Sequence, residues 1–366
     1  MMKGRTVTAR CALAAGLALV VAACSGPAGD RGARETGAGA APGDSAATHP
    51  QTIADIGLAS PETVLYDAVE DVYLVSNING DASAADGNGF ISKLAPDGHV
   101  LTLKWIEGGK NGATLNGPKG MIYLGDTLFV ADVDAVRLFN LRSGAPMGER
   151  PMPGRVGLND LAIGSDGRVY VTDLGPDSAT AAPAPKRGKA RRGEARTEQP
   201  GGAVLRLEAK GGTPIAEGPN LERPDGIVGG SGKLFVAPFG GSDIYQLPLP
   251  PVRRGADSTR SPAAADSAPA GADTTAGGPT RVAQVPTGTL DGLLRLADGA
   301  MLVTSWQGSA VYRIAEGGKV DTLATGIDSP AQMGLDTRRG RLLVPSLRKN
   351  AIVVLPLPES ERRGIT

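Results

Sequence analysis

The sequence predicts an all-β fold, a six-bladed propeller of four-stranded blades, and three observations carry that prediction. First, one phrase recurs six times: a tight turn, a short apolar strand, then a small or acidic residue. The instances are DVYLVSN (71–77), DTLFVAD (126–132), GRVYVTD (167–173), GKLFVAP (232–238), GAMLVTS (299–305) and GRLLVPS (340–346). Second, aligned on Val75, Val130, Val171, Val236, Val303 and Val344, the steps are 55, 41, 65, 67 and 41 residues. With the insertions removed from the long steps the period is near 40, the length of a propeller blade. Third, a polar residue keeps the same step just ahead of each blade's first strand.

The elements follow in order. Residues 1–23 have the form of a signal peptide: Lys3, Arg5 and Arg10 make a basic start, and Cys11–Ala23 is apolar but too short to span a bilayer. The stretch ends in Val21-Ala22-Ala23-Cys24, which resembles a bacterial lipobox, so Cys24 is the expected lipidation site. An ordinary secretory signal is the alternative. Residues 24–51, rich in Gly, Ala, Asp and Ser, read as a disordered tether. Ser25 behind the Cys points to an outer membrane or periplasmic face of a bacterial envelope. The other cysteine, Cys11, would leave with the signal, so no disulfide is expected in the mature domain.

The propeller is expected over 52–358. Blade one reads ETVLYDA, DVYLVSN, GFISKLA and VLTLKWI; blade two KGMIYLG, TLFVADV, AVRLFNL and a weak edge strand before Pro151. Blade three reads NDLAIGS, RVYVTDL, GAVLRLE and TPIAEGP; blade four DGIVGGS, KLFVAPF, DIYQLPL and TRVAQVP. Blade five reads DGLLRLA, AMLVTSW, AVYRIAE and VDTLATG. Blade six has AQMGLDT, RLLVPSL and AIVVLPL and lacks a fourth strand, for which TIADIGL (52–58) is the candidate. Two low-complexity insertions, 176–200 and 252–278, split blades three and four, and 359–366 is a tail. The first should flank the axial face and the second should lie on the opposite face.

Formal net charge is zero, which points away from a nucleic-acid partner; the basic run at 186–196 reads as a solvated tether. The only histidines are His49 and His99, neither near the expected axis, so histidine-based hydrolysis is excluded. The polar residues opening each first strand are Glu62, Lys119, Asn159, Asp225, Asp291 and Gln332. Three carboxylates in one throat repel by about 4 kcal/mol per pair at 4 Å and a dielectric near 20. They call for a cation. Glu62, Asn159, Asp225 and Asp291 form an all-oxygen set suited to a hard divalent ion. The alternative is a plug in which Lys119 supplies the charge. Asp132, Asp160 and Asp173 read as structural acids that bind turn amides. The loop NINGDASAADGNG (77–89) reads as a hydrogen-bonded surface loop, with calcium binding or a place at the substrate mouth as the alternative.

PETVLYD (61–67), NDLAIGSDGRVYVTD (159–173), RPDGIVGGSGKLFVA (223–237) and LDGLLRLADGAMLVTS (290–305) together resemble the senescence marker protein, gluconolactonase and luciferin-regenerating enzyme family. The resemblance covers about 52–358. It implies a divalent metal on Glu62, Asp225 and Asp291, with Asn159 helping to hold substrate or metal. Calcium is the first expectation, with magnesium, manganese or zinc as alternatives. It departs in three places: Asp225 stands where the family usually has Asn, Thr63-Val64 replaces Gly-Pro, and Gly157 stands where lactonases can carry an Arg. The implied activity is hydrolysis of a lactone or related small ester. Asp291 or Asp225 would be the base, and Asn159, Lys119 and Gln332 would contact a lactone or sugar-derived substrate. A monomer held to a membrane through Cys24 is expected, and a non-catalytic binding propeller at the envelope is the second reading.

Overall fold

The computed structural model describes residues 49–175, 202–249 and 277–358. The expected signal peptide, Cys24 and most of the tether lie outside the described residues, as do the two insertions except at their flanks and the C-terminal tail. Twenty-four strands form six antiparallel four-stranded sheets. Blade one is β2 (Pro61–Asp67), β3 (Val72–Asn77), β4 (Phe90–Leu94) and β5 (Val100–Glu107). Blade two is β6 (Met121–Leu124), β7 (Thr127–Ala131), β8 (Ala135–Asn140) and β9 (Pro146–Pro151). Blade three is β10 (Leu158–Ile163), β11 (Val169–Asp173), β12 (Ala203–Leu207) and β13 (Gly212–Glu217). Blade four is β14 (Pro224–Gly230), β15 (Lys233–Pro238), β16 (Asp243–Pro248) and β17 (Thr280–Gln284). Blade five is β18 (Leu290–Arg295), β19 (Met301–Ser305), β20 (Ala310–Ile314) and β21 (Val320–Thr325). Blade six takes β22 (Gly334–Asp336), β23 (Arg341–Ser346) and β24 (Ala351–Pro356) from the end of the chain and β1 (Gln51–Ile53) from its beginning.

That last sheet closes the ring. The pairing runs Gln51↔Val354, Thr52↔Val353 and Ile53↔Ile352, so the closing strand is shorter than the seven residues of TIADIGL and begins one residue earlier. Joining the ends in one sheet covers the outer edge of β24, whose unpaired amides would otherwise invite another strand.

The recurring apolar phrase forms the second strand of every blade. Flanked by neighbours on both faces, β3, β11, β19 and β23 are buried at every position. This is why they read as continuous apolar runs and not as alternating ones. Fourth strands lie at the rim: β9 is mostly exposed. The core is divided into six clusters, one between each pair of adjacent blades. Leu74, Ile91, Leu128 and Phe139 join blades one and two; Tyr73, Val75, Leu343 and Ile352 join blades one and six across the closure. Among the described residues there is no α-helix, and hence no helix able to cross a membrane.

Candidate functional site at the propeller axis

The same irregularity occurs where four first strands begin. Pairing in blade one passes from Pro61↔Asn77 directly to Val64↔Val75, so three steps on β2 match two on β3. The equivalent breaks are Leu158/Leu161, Pro224/Ile227 and Leu290/Leu293. Each is a β-bulge, and a bulge re-aims the side chain it carries. The bulged residues begin with Glu62, Asn159, Asp225 and Asp291. Lys119 and Gln332 sit two residues ahead of β6 and β22, which lack the bulge.

A bulge frees an amide from the ladder, and the sequence supplies an acceptor for it. Ser76 Oγ accepts the Thr63 N–H at 2.9 Å, Thr172 Oγ1 accepts that of Asp160 at 2.9 Å, and Thr304 Oγ1 accepts that of Gly292 at 2.7 Å. Each hydroxyl follows the aligned Val of its phrase. The next residue fastens the loop entering the first strand. Asn77 Oδ1 accepts the Ala59 N–H, Asp132 accepts those of Asn116 and Gly117, and Asp173 accepts that of Gly157. Ser305 and Ser346 instead donate to the carbonyls of Gly288 and Asp328. Asp132 and Asp173 are thus structural, as expected.

Blade four has Ala237 and Pro238 at these two places and borrows its fastening from blade three. Thr172 Oγ1 donates to the Asp225 carbonyl at 2.6 Å, and Asp160 Oδ2 accepts the Ile227 N–H at 3.0 Å. Asp160 is therefore also structural, although it is fully buried within the axial group. The blades approach so closely here that a Cβ on Gly226 would lie 2.1 Å from the Asp291 carbonyl oxygen.

Left-handed backbone turns the chain toward the axis. Ser60, Arg223, Thr289 and Ser329, each two or three residues ahead of an axial residue, have φ of 50°, 63°, 55° and 45°. For β-branched Thr289 this is a strained conformation, of a kind that persists where surrounding contacts enforce it. The enforcing contacts are backbone bonds from the loops after the second strands: Ile78, Phe239, Trp306 and Leu347 N–H donate to the carbonyls of Ser60, Arg223, Thr289 and Ser329.

The resulting site is buried and acidic. Glu62, Lys119, Asn159, Asp225 and Asp291 are all under 8% exposed despite their polarity. Glu62 Oε2 accepts the Thr63 hydroxyl at 2.6 Å, Asp291 Oδ2 accepts Trp306 Nε1–H at 2.9 Å, and Asp225 Oδ1 accepts Asn159 Nδ2–H. Burial pushes Glu62 up to about 7 against the pull of the Thr63 bond and the Lys119 charge. Asp225 is raised well above the carboxylate range, first by burial and then by the charges of Glu62 and Asp160. Asp291 is raised by burial and then by Asp225, Glu62 and Asp160. These couplings place carboxylates from four blades within one electrostatic neighbourhood.

Lys119 adds a cation to this neighbourhood, and its charge pulls down the pKa of both Glu62 and Asp225. Its Nζ donates to the carbonyls of Ala82 at 3.0 Å and Gly117 at 3.3 Å, and burial lowers its pKa against the opposing pull of Glu62, Asp132, Asp225 and Asp81. Those carbonyl contacts commit the ammonium to holding the 77–89 loop. Gln332 is committed likewise: Oε1 accepts the Leu293 N–H at 2.8 Å and Nε2 donates to its carbonyl at 3.3 Å, strapping blade six to blade five.

The 77–89 loop is a hydrogen-bonded lobe. Asp81 accepts the Ser83 N–H and hydroxyl, Asp86 accepts the Asn88 side chain, and Asn79 donates to the Asn88 carbonyl. Its acids are occupied within the loop.

Whether the axis suits a cation can be tested on its donors. Asn159 Oδ1 is buried and has no hydrogen-bond partner, an orphaned acceptor beside raised carboxylates. Such an atom is costly without a donor or an ion. The oxygen chemistry of Glu62, Asn159, Asp225 and Asp291 therefore fits a hard divalent ion. Among the described residues no three His, Cys, Asp or Glu side chains are already drawn together as a metal cluster, so binding would require them to converge.

No family model and no curated protein sequence matches this chain. Solved structures do match its fold. A gluconolactonase from Xanthomonas campestris aligns with 84% of this chain and 89% of its own at 18% identity and a TM-score of 0.56. A luciferin-regenerating enzyme aligns over 84% and 96% at 12% identity and 0.55. A calcium-binding regucalcin from Agrobacterium tumefaciens aligns over 82% and 90% at 14% identity and 0.51. At these identities the likeness is one of fold, and it is the fold that the sequence resemblance implies.

Proposed function

We propose that the axis is the active site of a divalent-metal-dependent hydrolase of a lactone or related small ester. The observation that carries this reading is the buried, mutually interacting set of three raised carboxylates together with the unpartnered Oδ1 of Asn159, whose amide donates to Asp225. Glu62, Asn159, Asp225 and Asp291 would hold the ion, calcium first by analogy with the regucalcin neighbour. A bound ion of this kind polarises a carbonyl and stabilises the developing oxyanion. Asp291 is oriented by Trp306 through Oδ2 and is the better placed of the two candidate bases to take a proton from water; Asp225 is tied to Asn159 and to blade three.

The chain's place is proposed to be a bacterial envelope, anchored through Cys24. Support comes from the Val21-Ala22-Ala23-Cys24 motif and from a closing strand that begins at Gln51, directly after the tether. Cys24→Ala should release the protein from the membrane fraction while its thermal transition is kept; unchanged fractionation would remove the anchor from the proposal.

A second reading, a non-catalytic propeller that binds a ligand, is favoured by the dispersed carboxylates. Metal analysis of the purified chain, calcium titration of its melting temperature and a panel of small lactones decide between them. A calcium-raised transition with lactone turnover supports the hydrolase. Metal-free protein, no cation response and no turnover support the binding propeller.

A further inference from the structure

The residue that follows each second-strand phrase forms a ring around the axial entrance: Ile78, Val133, Leu174, Phe239, Trp306 and Leu347. Four are aliphatic. The aromatic two are adjacent, on blades four and five, in a chain with only two Trp and five Phe. Phe239 and Trp306 pack edge to face at 5.3 Å and 81°, and both are half-buried. A guanidinium stands against each ring: Arg223 at 5.4 Å from Phe239 and Arg348 at 5.1 Å from Trp306. Trp306 also donates to Asp291, so this wall adjoins the axial carboxylates directly.

Its parts are held in place. Arg223 and Thr289 occupy left-handed corners, and their carbonyls accept the Phe239 and Trp306 N–H groups. Arg348 lies in a short turn, Leu347–Lys349, whose following residue Asn350 accepts the Ser60 N–H at 2.7 Å from blade one. An exposed arginine held over an indole face keeps a planar N–H edge suited to a carboxylate or phosphate. The charge arrangement is selective. Axial carboxylates repel an anion, and the exposed Arg348 beside Trp306 supplies a positive charge on this side of the entrance.

We propose that the blade-four-to-six side of the entrance is a subsite for a cyclic ligand bearing a negative group, with Trp306 and Phe239 against its ring and Arg348 on its charge. The inference rests on reading the axis as the ligand site, and it narrows the substrate class to acidic sugars or sugar phosphates.

Trp306 makes the test direct. In a Trp105→Phe variant of the full chain it is the sole tryptophan, and its fluorescence is titrated with glucuronate, glucose 6-phosphate and neutral glucose. The expected result is a saturable change with one or both anions and none with glucose at the same concentration. Glucuronate alone would identify a carboxylate subsite, and glucose 6-phosphate alone a phosphate subsite. Arg348→Ala should raise the anion Kd about tenfold, the loss of one charge-assisted contact, with Arg348→Lys intermediate and melting temperatures unchanged. Equal binding of glucose, no fluorescence change with any probe, or an anion Kd indifferent to Arg348→Ala would overturn the proposal. The hydrolase reading fails separately: loss of calcium response with Arg348-dependent anion binding intact removes the metal and keeps the subsite.

Discussion

The loops over blades one and two, set against those over blades four and five, surround the axis in opposite ways, although Glu62 of blade one is an axial acid like Asp225 and Asp291. On the first side the axial Lys119 points its ammonium into carbonyls, the 77–89 loop lies over it through Ala82, and the ring residues Ile78 and Val133 are only 5% exposed. On the second side the axial residues are acids, the ring residues are half-buried aromatics, and two arginines flank them. The supports differ too. Asp132 of blade two takes two backbone amides and an ion pair from Arg137, which also meets Asp134 and Glu149. Blade four has neither hydroxyl nor acid at the matching places and is held from its neighbour. Lys119 of blade two holds a loop while the equivalent acids of blades one, four and five stay in the axial group, so a repeat does not assign equal roles to equivalent residues.

The largest effect expected from this asymmetry is on turnover. Asp291→Ala should reduce lactone hydrolysis by about 10²–10⁴-fold, the usual weight of a general base, and abolish the calcium shift in melting temperature. Lys119→Met should leave the calcium shift in place. Equal loss in both variants would dissolve the distinction between the two sides.

The next effect is on pH. Glu62 keeps its proton to about pH 7 when folded, whereas the unfolded carboxyl releases it near 4.5. Between those values the unfolded state binds fewer protons, so Glu62's contribution to the stability of the metal-free domain should fall as pH rises and level off above 7, with the raised Asp160, Asp225 and Asp291 acting in the same direction. The shift corresponds to about 3 kcal/mol. Urea unfolding at pH 5 and pH 8 in the presence of a chelator checks the slope, and Glu62→Gln should flatten part of it. A rise in stability over that interval would contradict the burial assigned to this carboxyl.

A smaller effect separates the blade fastenings. Thr172→Val removes the acceptor for the Asp160 amide and the donor to the Asp225 carbonyl, and should cost about 2–3 kcal/mol. Ser76→Ala removes only the acceptor for Thr63 and should cost about 1–2 kcal/mol. Equal costs in denaturant titration would mean that blade four does not depend on blade three.

The ring of blades was legible in the sequence because buried second strands must be apolar throughout, and a 40-residue unit writes that requirement six times. The axial polar residues were legible for the same reason: they keep step with it. Hydroxyl clamps were less visible. Ser76, Thr172 and Thr304 stand one place after the aligned Val, where their smallness was noted, but their partners are amides freed by bulges, which no single strand reveals. The aromatic pair lay two columns further on, at Phe239 and Trp306, and gains meaning only when adjacent blades are set side by side. Lys119 and Gln332 were placed correctly in the repeat, yet their hydrogen bonds run to Ala82 and Leu293, relations that spacing does not encode.

The pairing of β1 with β24 also fixes an order of events during synthesis. Residues 51–53 wait for partners some 300 positions later, at 352–354, and contacts that distant form slowly and late. The bridge between Thr63 and Gln332 across the first and last blades waits with them. A growing chain can assemble five inter-blade surfaces before its final strand appears, but Glu62 gains its last neighbour only when the circle shuts. Truncated or stalled products are therefore expected to carry folded blades and an incomplete axis, so an unfinished chain would be inert before it could meet a ligand.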